Sequence, residues 1–405
     1  MQQRYLHEWL KANYKLLNKN WTDPVRLVGE MGVLAAEQQQ FLQLGQRMAS
    51  RMEKCISENN PKYAKSIEFA IIRSNELGAW AFWAYKCYGI VVTQGLIENI
   101  QAVCGQVNRL LAVAMQSPPD DNNFVRQLWA EMPEANRDFQ SYGEVLAQIA
   151  FDFIVHHELA HAGLGHEWVM ATASASEELQ RLSDDERTWS IDEVSLAAAP
   201  SDGGGPKAWQ QALEADADLN GLRYTIEYLE MQAKMFATRG KLGNDHRDIV
   251  WETVLTNPKL RWFAVLVGSS IGLAALLSKP RKELGDLAAS THPPLPARML
   301  MVLHAGVQLQ KQAMPANPVI PSEVLLLVSG LFGFLHSARD SKTKSLDAML
   351  NEFNLPEAVH RYEEIGQHFA SLAQEMSRLA KTRDHLRRFP DFLRWEWYGS
   401  PTTTK

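Results

Sequence analysis

Cysteine is scarce in this chain. Only Cys55, Cys87 and Cys104 occur in 405 residues. No two of them form a CxxC pair, and an odd number cannot close a disulfide framework. That excludes a thiolate zinc ribbon or a small disulfide scaffold, and it suits a reducing compartment. Positive charge is also short. With 41 Lys and Arg against 47 Asp and Glu, the net charge is −6, without the basic face that a dedicated nucleic-acid binder carries. No nucleic-acid partner is expected. Long apolar runs are missing as well. The segment from Met1 to Glu8 lacks the apolar core of a signal peptide, so the cytoplasm is the expected location. From Trp262 to Leu277 run sixteen uncharged residues, short of the roughly 17–25 that span a bilayer and diluted by Gly268, Ser269 and Ser270. Val324 to Leu335 is shorter still. Both read as buried helices of a soluble core, with a membrane-associated protein as the alternative.

What is present is mostly helical pattern. Apolar residues recur at three- and four-residue spacing through the first sixty-five or so positions, which read as an N-terminal helical segment. Ile90-Val91-Val92-Thr93 is a β-branched cluster that reads as a strand, and Gln94-Gly95-Leu96 as the turn into a helix. Residues 117–123 form a loop rich in Pro, Asp and Asn. A long helix is expected from Tyr142 to Gly163 and another from Lys207 to Lys234. Between them, 174–207 is acidic, rich in small residues and closed by Gly203-Gly204-Gly205-Pro206, and reads as a flexible insert. The expected fold is mainly α with a small β-sheet. The core should cover residues 66–335, with 336–405 a C-terminal helical extension. That tail ends in a basic, aromatic stretch, Lys381 to Tyr398, in which Asp384, Asp391 and Glu396 dilute the charge. A docked amphipathic helix explains it better than a nucleic-acid surface.

Chemistry concentrates on the first long helix. In His157-Glu158-Leu159-Ala160-His161 the two histidines lie four residues apart, on one helix face, as two ligands of one tetrahedral zinc require. Glu158 is placed to take a proton from a water at that metal, whose acidity zinc raises. Ile149, Ala150, Phe153 and Ile154 continue the same face, so the histidines point into an apolar interior, where unsatisfied polar groups are costly. On the second helix, Glu214-Ala215-Asp216-Ala217-Asp218 has the spacing Glu-x-x-x-Asp. Glu214 is the candidate third ligand, and Asp218 the carboxylate that orients a ligand histidine. His166 competes for the third position, but Gly163 and His166 each fall one residue early for HExxHxxGxxH. It reads rather as a residue outside the ligand set, supporting it or the fold.

These motifs resemble those of the gluzincin zinc metallopeptidases. The stretch Asn75 to Ala81, followed by Gly89 to Leu96, is similar to the strand and helix start upstream of the zinc helix in HtpX-type peptidases. Glu214 to Asp218 resembles their Glu-x-x-Ala-Asp motif, and Thr291-His292-Pro293 followed by Arg298 resembles their Thr-His-Pro…Arg motif. The ending His161-Ala162-Gly163-Leu164-Gly165-His166 looks more like the soluble phage-exclusion (Lit-type) peptidases. The resemblance covers residues 70 to 300. It implies a minimal gluzincin, zincin-like metalloprotease core in which His157, His161 and Glu214 hold Zn2+ and Glu158 is the general base. His292 and Arg298 would stabilise the oxyanion or brace the ligands, and Ile90–Thr93 would be an edge strand to which a protein or peptide substrate adds. The expected activity is zinc-dependent endopeptidase hydrolysis, in a phage-exclusion or regulatory setting. The rivals are a membrane-associated quality-control protease and a zinc-binding interaction protein without catalysis.

Overall fold

The structure is a computed structural model that describes residues 3–17, 26–27, 36–59, 66–84, 87–116, 139–164, 166, 189–190, 206–240, 245–276 and 295–313. Eight helices are formed by these residues: α1 (Gln3–Leu17), α2 (Ala36–Asn59), α3 (Gln94–Gln116), α4 (Phe139–Leu164), α5 (Pro206–Arg239), α6 (His246–Thr256), α7 (Pro258–Ala275) and α8 (Leu295–Ala313). The strands are β1 (Ser66–Ile72), β2 (Ala79–Ala84), β3 (Cys87–Thr93) and β4 (Trp189–Ser190), in the sheet order β1-β3-β2-β4. Mainly α with a small β-sheet is therefore the architecture.

The sheet owes its place to alternation on two faces. Ile67, Phe69 and Ile71 of β1 join Tyr88, Ile90 and Val92 of β3 on the face that meets α2, α3 and α4. Ala70, Ile72, Cys87, Val91 and Phe82 face the other way, where Leu6 and Leu10 of α1 cover them. Successive strand side chains point to opposite faces, so burying both gives strands with almost no polar positions. Glu68 is the exception on the α1 side, and its carboxylate accepts from the Leu6 amide at 3.0 Å, one of the early helix N–H groups that have no partner within the helix. Phe41, Leu44, Met48, Met52 and Ile56 of α2 belong to the same core as α4, so the N-terminal helices share the body of the molecule.

β1 and β3 run parallel, and β2 runs antiparallel to β3 on its other side. The Ile90–Thr93 strand therefore lies inside the sheet. Its expected place at the edge is corrected: strand order is decided by which strands pair, and here β3 fills the position between β1 and β2. Thr93 then ends β3 and opens α3. Its hydroxyl accepts from the Leu96 amide at 3.2 Å, the position of a helix N-cap, and donates to the Glu76 carbonyl at 2.6 Å. The acidic insert supplies one piece of this sheet, β4, which pairs with Phe82 and Trp83. The rest of 174–205 lies outside the described residues, as do the 117–123 loop, Val324–Leu335, His292 and the tail from 336.

α4 is buried on every side, with Val145, Leu146, Ile149, Ala150, Phe151, Phe153, Ile154 and Val155 all at 0% exposure. A helix apolar all round is a core helix, and α5, α7, α3, α2 and α6 surround it. α7 is the apolar segment at Trp262. A Cβ on Gly268 would stand 2.6 Å from the Ile149 side chain, and one on Gly272 would stand 3.0 Å from the Ala150 carbonyl. Gly268 and Gly272 thus mark the seam along which α7 lies against α4. No helix among the described residues is long and apolar enough to cross a membrane.

One close approach between helices serves the site. A Cβ on Gly221 of α5 would lie 2.9 Å from the backbone nitrogen of His157, under any ordinary contact. Gly221→Val must therefore push α5 and its Glu214 away from α4. The expected result is a lower unfolding midpoint together with weaker binding of divalent metal, read by thermal unfolding and by chelator competition. Unchanged metal binding in a destabilised variant would show that the spacing of these helices does not set the site.

Candidate metal centre

α4 and α5 bring the site together because they cross at glycine and alanine. Ala160 and Ala217 are each 0% exposed, and such small side chains let two backbones approach and their longer neighbours meet. His157 and His161 project from successive turns of α4 with ring centroids 4.8 Å apart. Their Nε2 atoms face each other at 3.2 Å. From α5, Glu214 reaches both: Oε2 lies 3.4 Å from His157 Nε2, and Oε1 lies 3.5 Å from His161 Nε2. One donor atom from each of the three residues falls within 4.8 Å of the others, and all three side chains are buried.

Those separations are informative. Two imidazole nitrogens at hydrogen-bonding distance repel unless a proton or a cation lies between them. With zinc–nitrogen bonds of about 2.0–2.1 Å, the edge of a coordination tetrahedron spans roughly 3.3–3.4 Å, close to the three distances observed. Charge points the same way. Glu158, Glu214, Asp216 and Asp218 are all buried; of the two buried guanidiniums, Arg298 reaches this group while Arg261 pairs with Glu230. Uncompensated charges of one sign are costly away from water, and a divalent cation would offset most of the excess. Asp152 stays outside this account: burial lifts its carboxyl well above the usual carboxylate range, against a weaker opposing pull from Arg47. The chain therefore has a buried His157-His161-Glu214 group that could hold a metal ion.

The outer partners are equally well placed. His157 Nδ1 lies 2.9 Å from Asp218 Oδ1, off the axis of a straight hydrogen bond. Burial alone would push this imidazole down. Asp218 and Glu214 outweigh it and hold the metal-free ring up at about 10. Asp218 is fixed in turn by Arg298 of α8, which donates from Nε and Nη2 at 2.7 Å each. Burial raises the Asp218 carboxyl, but Arg298 and His157 more than reverse this and hold it below its ordinary range. Arg298 also lies 3.8 Å from Glu214 Oε2 and feels the charge of Glu158. Of the two roles implied for Arg298, bracing the ligands fits this geometry, because its Nε and Nη2 both bond Asp218, which faces His157. Glu158 is 6% exposed and is not one of the three residues that could hold a metal ion.

His166 does not substitute for Glu214. Its Nδ1 lies 2.9 Å from His161 Nδ1, and its Nε2 lies 3.0 Å from Asp216 Oδ2, so both ring nitrogens are engaged. Asp216 and Asn220 were missed in the sequence. Asn220 donates to the Asp216 side chain at 3.0 Å and to its carbonyl at 2.9 Å. The signal that could have found them is the i, i+4 spacing of an Asp and an Asn beside the Glu-x-x-x-Asp pair. The α4–α5 contact carries a separate polar pair, in which His156 Nδ1 meets the Thr225 hydroxyl at 3.0 Å; burial holds that ring down at about 3, with the charge of Arg51 adding to it. Comparison with models of known protein families, with curated proteins and with solved structures finds no match.

Proposed function

We infer that the chain is a zinc-dependent endopeptidase of the gluzincin kind. The observation that carries this reading is the mutual placement of His157 Nε2, His161 Nε2 and Glu214 at tetrahedral-edge distances, with the carboxylate of Glu158 next to the first ligand in sequence. A zinc ion there would polarise a peptide carbonyl and acidify a water. Glu158 would take the proton of the attacking water and return it to the leaving amine. Arg298 keeps Asp218 ionised, and Asp218 keeps the His157 ring turned to the site. With β3 inside the sheet, an extended substrate would add along β2, whose outer neighbour β4 is only two residues long. Main-chain pairing of that kind favours a peptide over an ester or a sugar.

Metal analysis tests this first. The purified protein should carry one zinc per chain, and Glu214→Ala should lose it or bind it far more weakly. Zinc fully retained without Glu214 would move the third ligand elsewhere. A protein that holds no metal and takes none up would sink the peptidase reading.

A further inference from the structure

The two ligand histidines on α4 have different outer partners. A ring that presents Nε2 to a cation must carry its proton on Nδ1. For His157 that nitrogen faces Asp218, whose charge is already shared with Arg298 through two bonds of 2.7 Å. For His161 it faces another imidazole, His166, at 2.9 Å. With His161 Nδ1 as donor, His166 Nδ1 must be the acceptor. The His166 proton then sits on Nε2, and this nitrogen lies 3.0 Å from Asp216 Oδ2. Each bond fixes the direction of the next. Asp216 Oδ1 accepts from Asn220, and among the described residues Asp216 contacts no Lys or Arg, so its charge is directed into His166. None of the four is more than 6% exposed, so water does not compete with the chain.

We propose that Asp216, acting through His166, is the positioning group for His161: a buried relay that fixes the tautomer and rotamer of this ligand and lends it negative charge. The proposal rests on the metal reading above and deepens it. It makes the two histidines unequal ligands, His157 held by a carboxylate already neutralised by Arg298 and His161 by an imidazole with a carboxylate behind it that otherwise meets, among the described residues, only the neutral amide of Asn220. Glutamine can copy the relay at position 166, since its carbonyl accepts and its amide donates, whereas leucine keeps the bulk and breaks both bonds.

The test measures zinc affinity, by competition with a chromophoric chelator, and the visible spectrum of the Co2+-loaded protein. Proteins compared are wild type, His166→Leu, His166→Gln and Asp216→Asn. His166→Leu should weaken zinc by about 10–100-fold, the usual cost of losing an outer partner, and shift the Co2+ bands. His166→Gln should restore most of both. Asp216→Asn, which keeps an acceptor but loses the charge, should fall between them. A leucine variant with wild-type affinity and spectrum overturns the relay, as does a glutamine variant that fails as completely as leucine. If the leucine variant does not fold, Asp216→Ala replaces it, and wild-type affinity there overturns the proposal. A wild type that binds no zinc removes the metal reading itself, whereas one that binds zinc regardless of residue 166 removes the relay alone.

Discussion

Glu158→Gln should leave zinc bound and reduce peptide hydrolysis by about 10²–10⁴-fold, the range that a positioned general base contributes. Glutamine has nearly the volume of glutamate and keeps an acceptor oxygen, so the packing of α4 is preserved. It cannot take a proton at neutral pH. Because Glu158 lies outside the His157-His161-Glu214 group, its replacement does not remove a ligand. The side chain is only 6% exposed, and buried carboxylates beside a candidate metal site are the groups suited to proton transfer. Hydrolysis of an unstructured protein substrate and zinc content, measured on the same samples, separate the readings. Activity that persists in the glutamine variant means that the base is wrongly assigned. Zinc bound in a wild type that cleaves nothing would favour the non-catalytic interaction protein.

Local periodicity carried much of the site. His157 and His161 share a face because helix geometry makes residues four apart neighbours, and the same rule places Glu214 one turn from Asp218. The helix boundaries followed from Gly163 on one side and the Gly-Pro end of the insert on the other, and α4 does run to Leu164 while α5 starts at Pro206. The apolar stretch at Trp262 read as a buried helix because it is too short and too rich in small residues for a bilayer, and those glycines are where α7 touches α4.

Pairing across the chain was not legible. The Ile90–Thr93 strand was recognisable from its β-branched residues, but its neighbours depend on β1 and β2, whose order no local pattern encodes. Asp216 was hidden for a different reason. In a helix that also carries Glu214 and Asp218, a third acid reads as one more solvated charge, and only the packing of α5 against α4 turns it toward His166. β4 came from a segment whose composition reads as loop, and its two residues are too few to leave a period.

Arg298→Met should destabilise the metal-free protein by about 3–5 kcal/mol, the cost of breaking a buried pair and leaving one partner behind. Asp218 is 0% exposed, its two oxygens both accept from Arg298, and water cannot replace the guanidinium. The pH dependence gives the sign. In wild type the folded Asp218 carboxyl is held below its ordinary value, so it contributes stability that is present above the unfolded pKa of about 3.9 and is lost as pH falls through the folded value. Without Arg298, burial, the largest influence on this carboxyl, is opposed by His157 alone, and the carboxyl moves up. The variant then loses stability as pH rises past about 4. The gap between the two proteins should therefore be small in acid and widest at neutral pH, measured by urea unfolding in the presence of chelator. Added zinc should close part of the gap, since it stabilises only the folded chain and offsets the same excess of negative charge. A gap that is constant with pH would mean that Arg298 acts through packing alone. A variant as stable as wild type at pH 7 would show that Asp218 finds another partner when the guanidinium is gone.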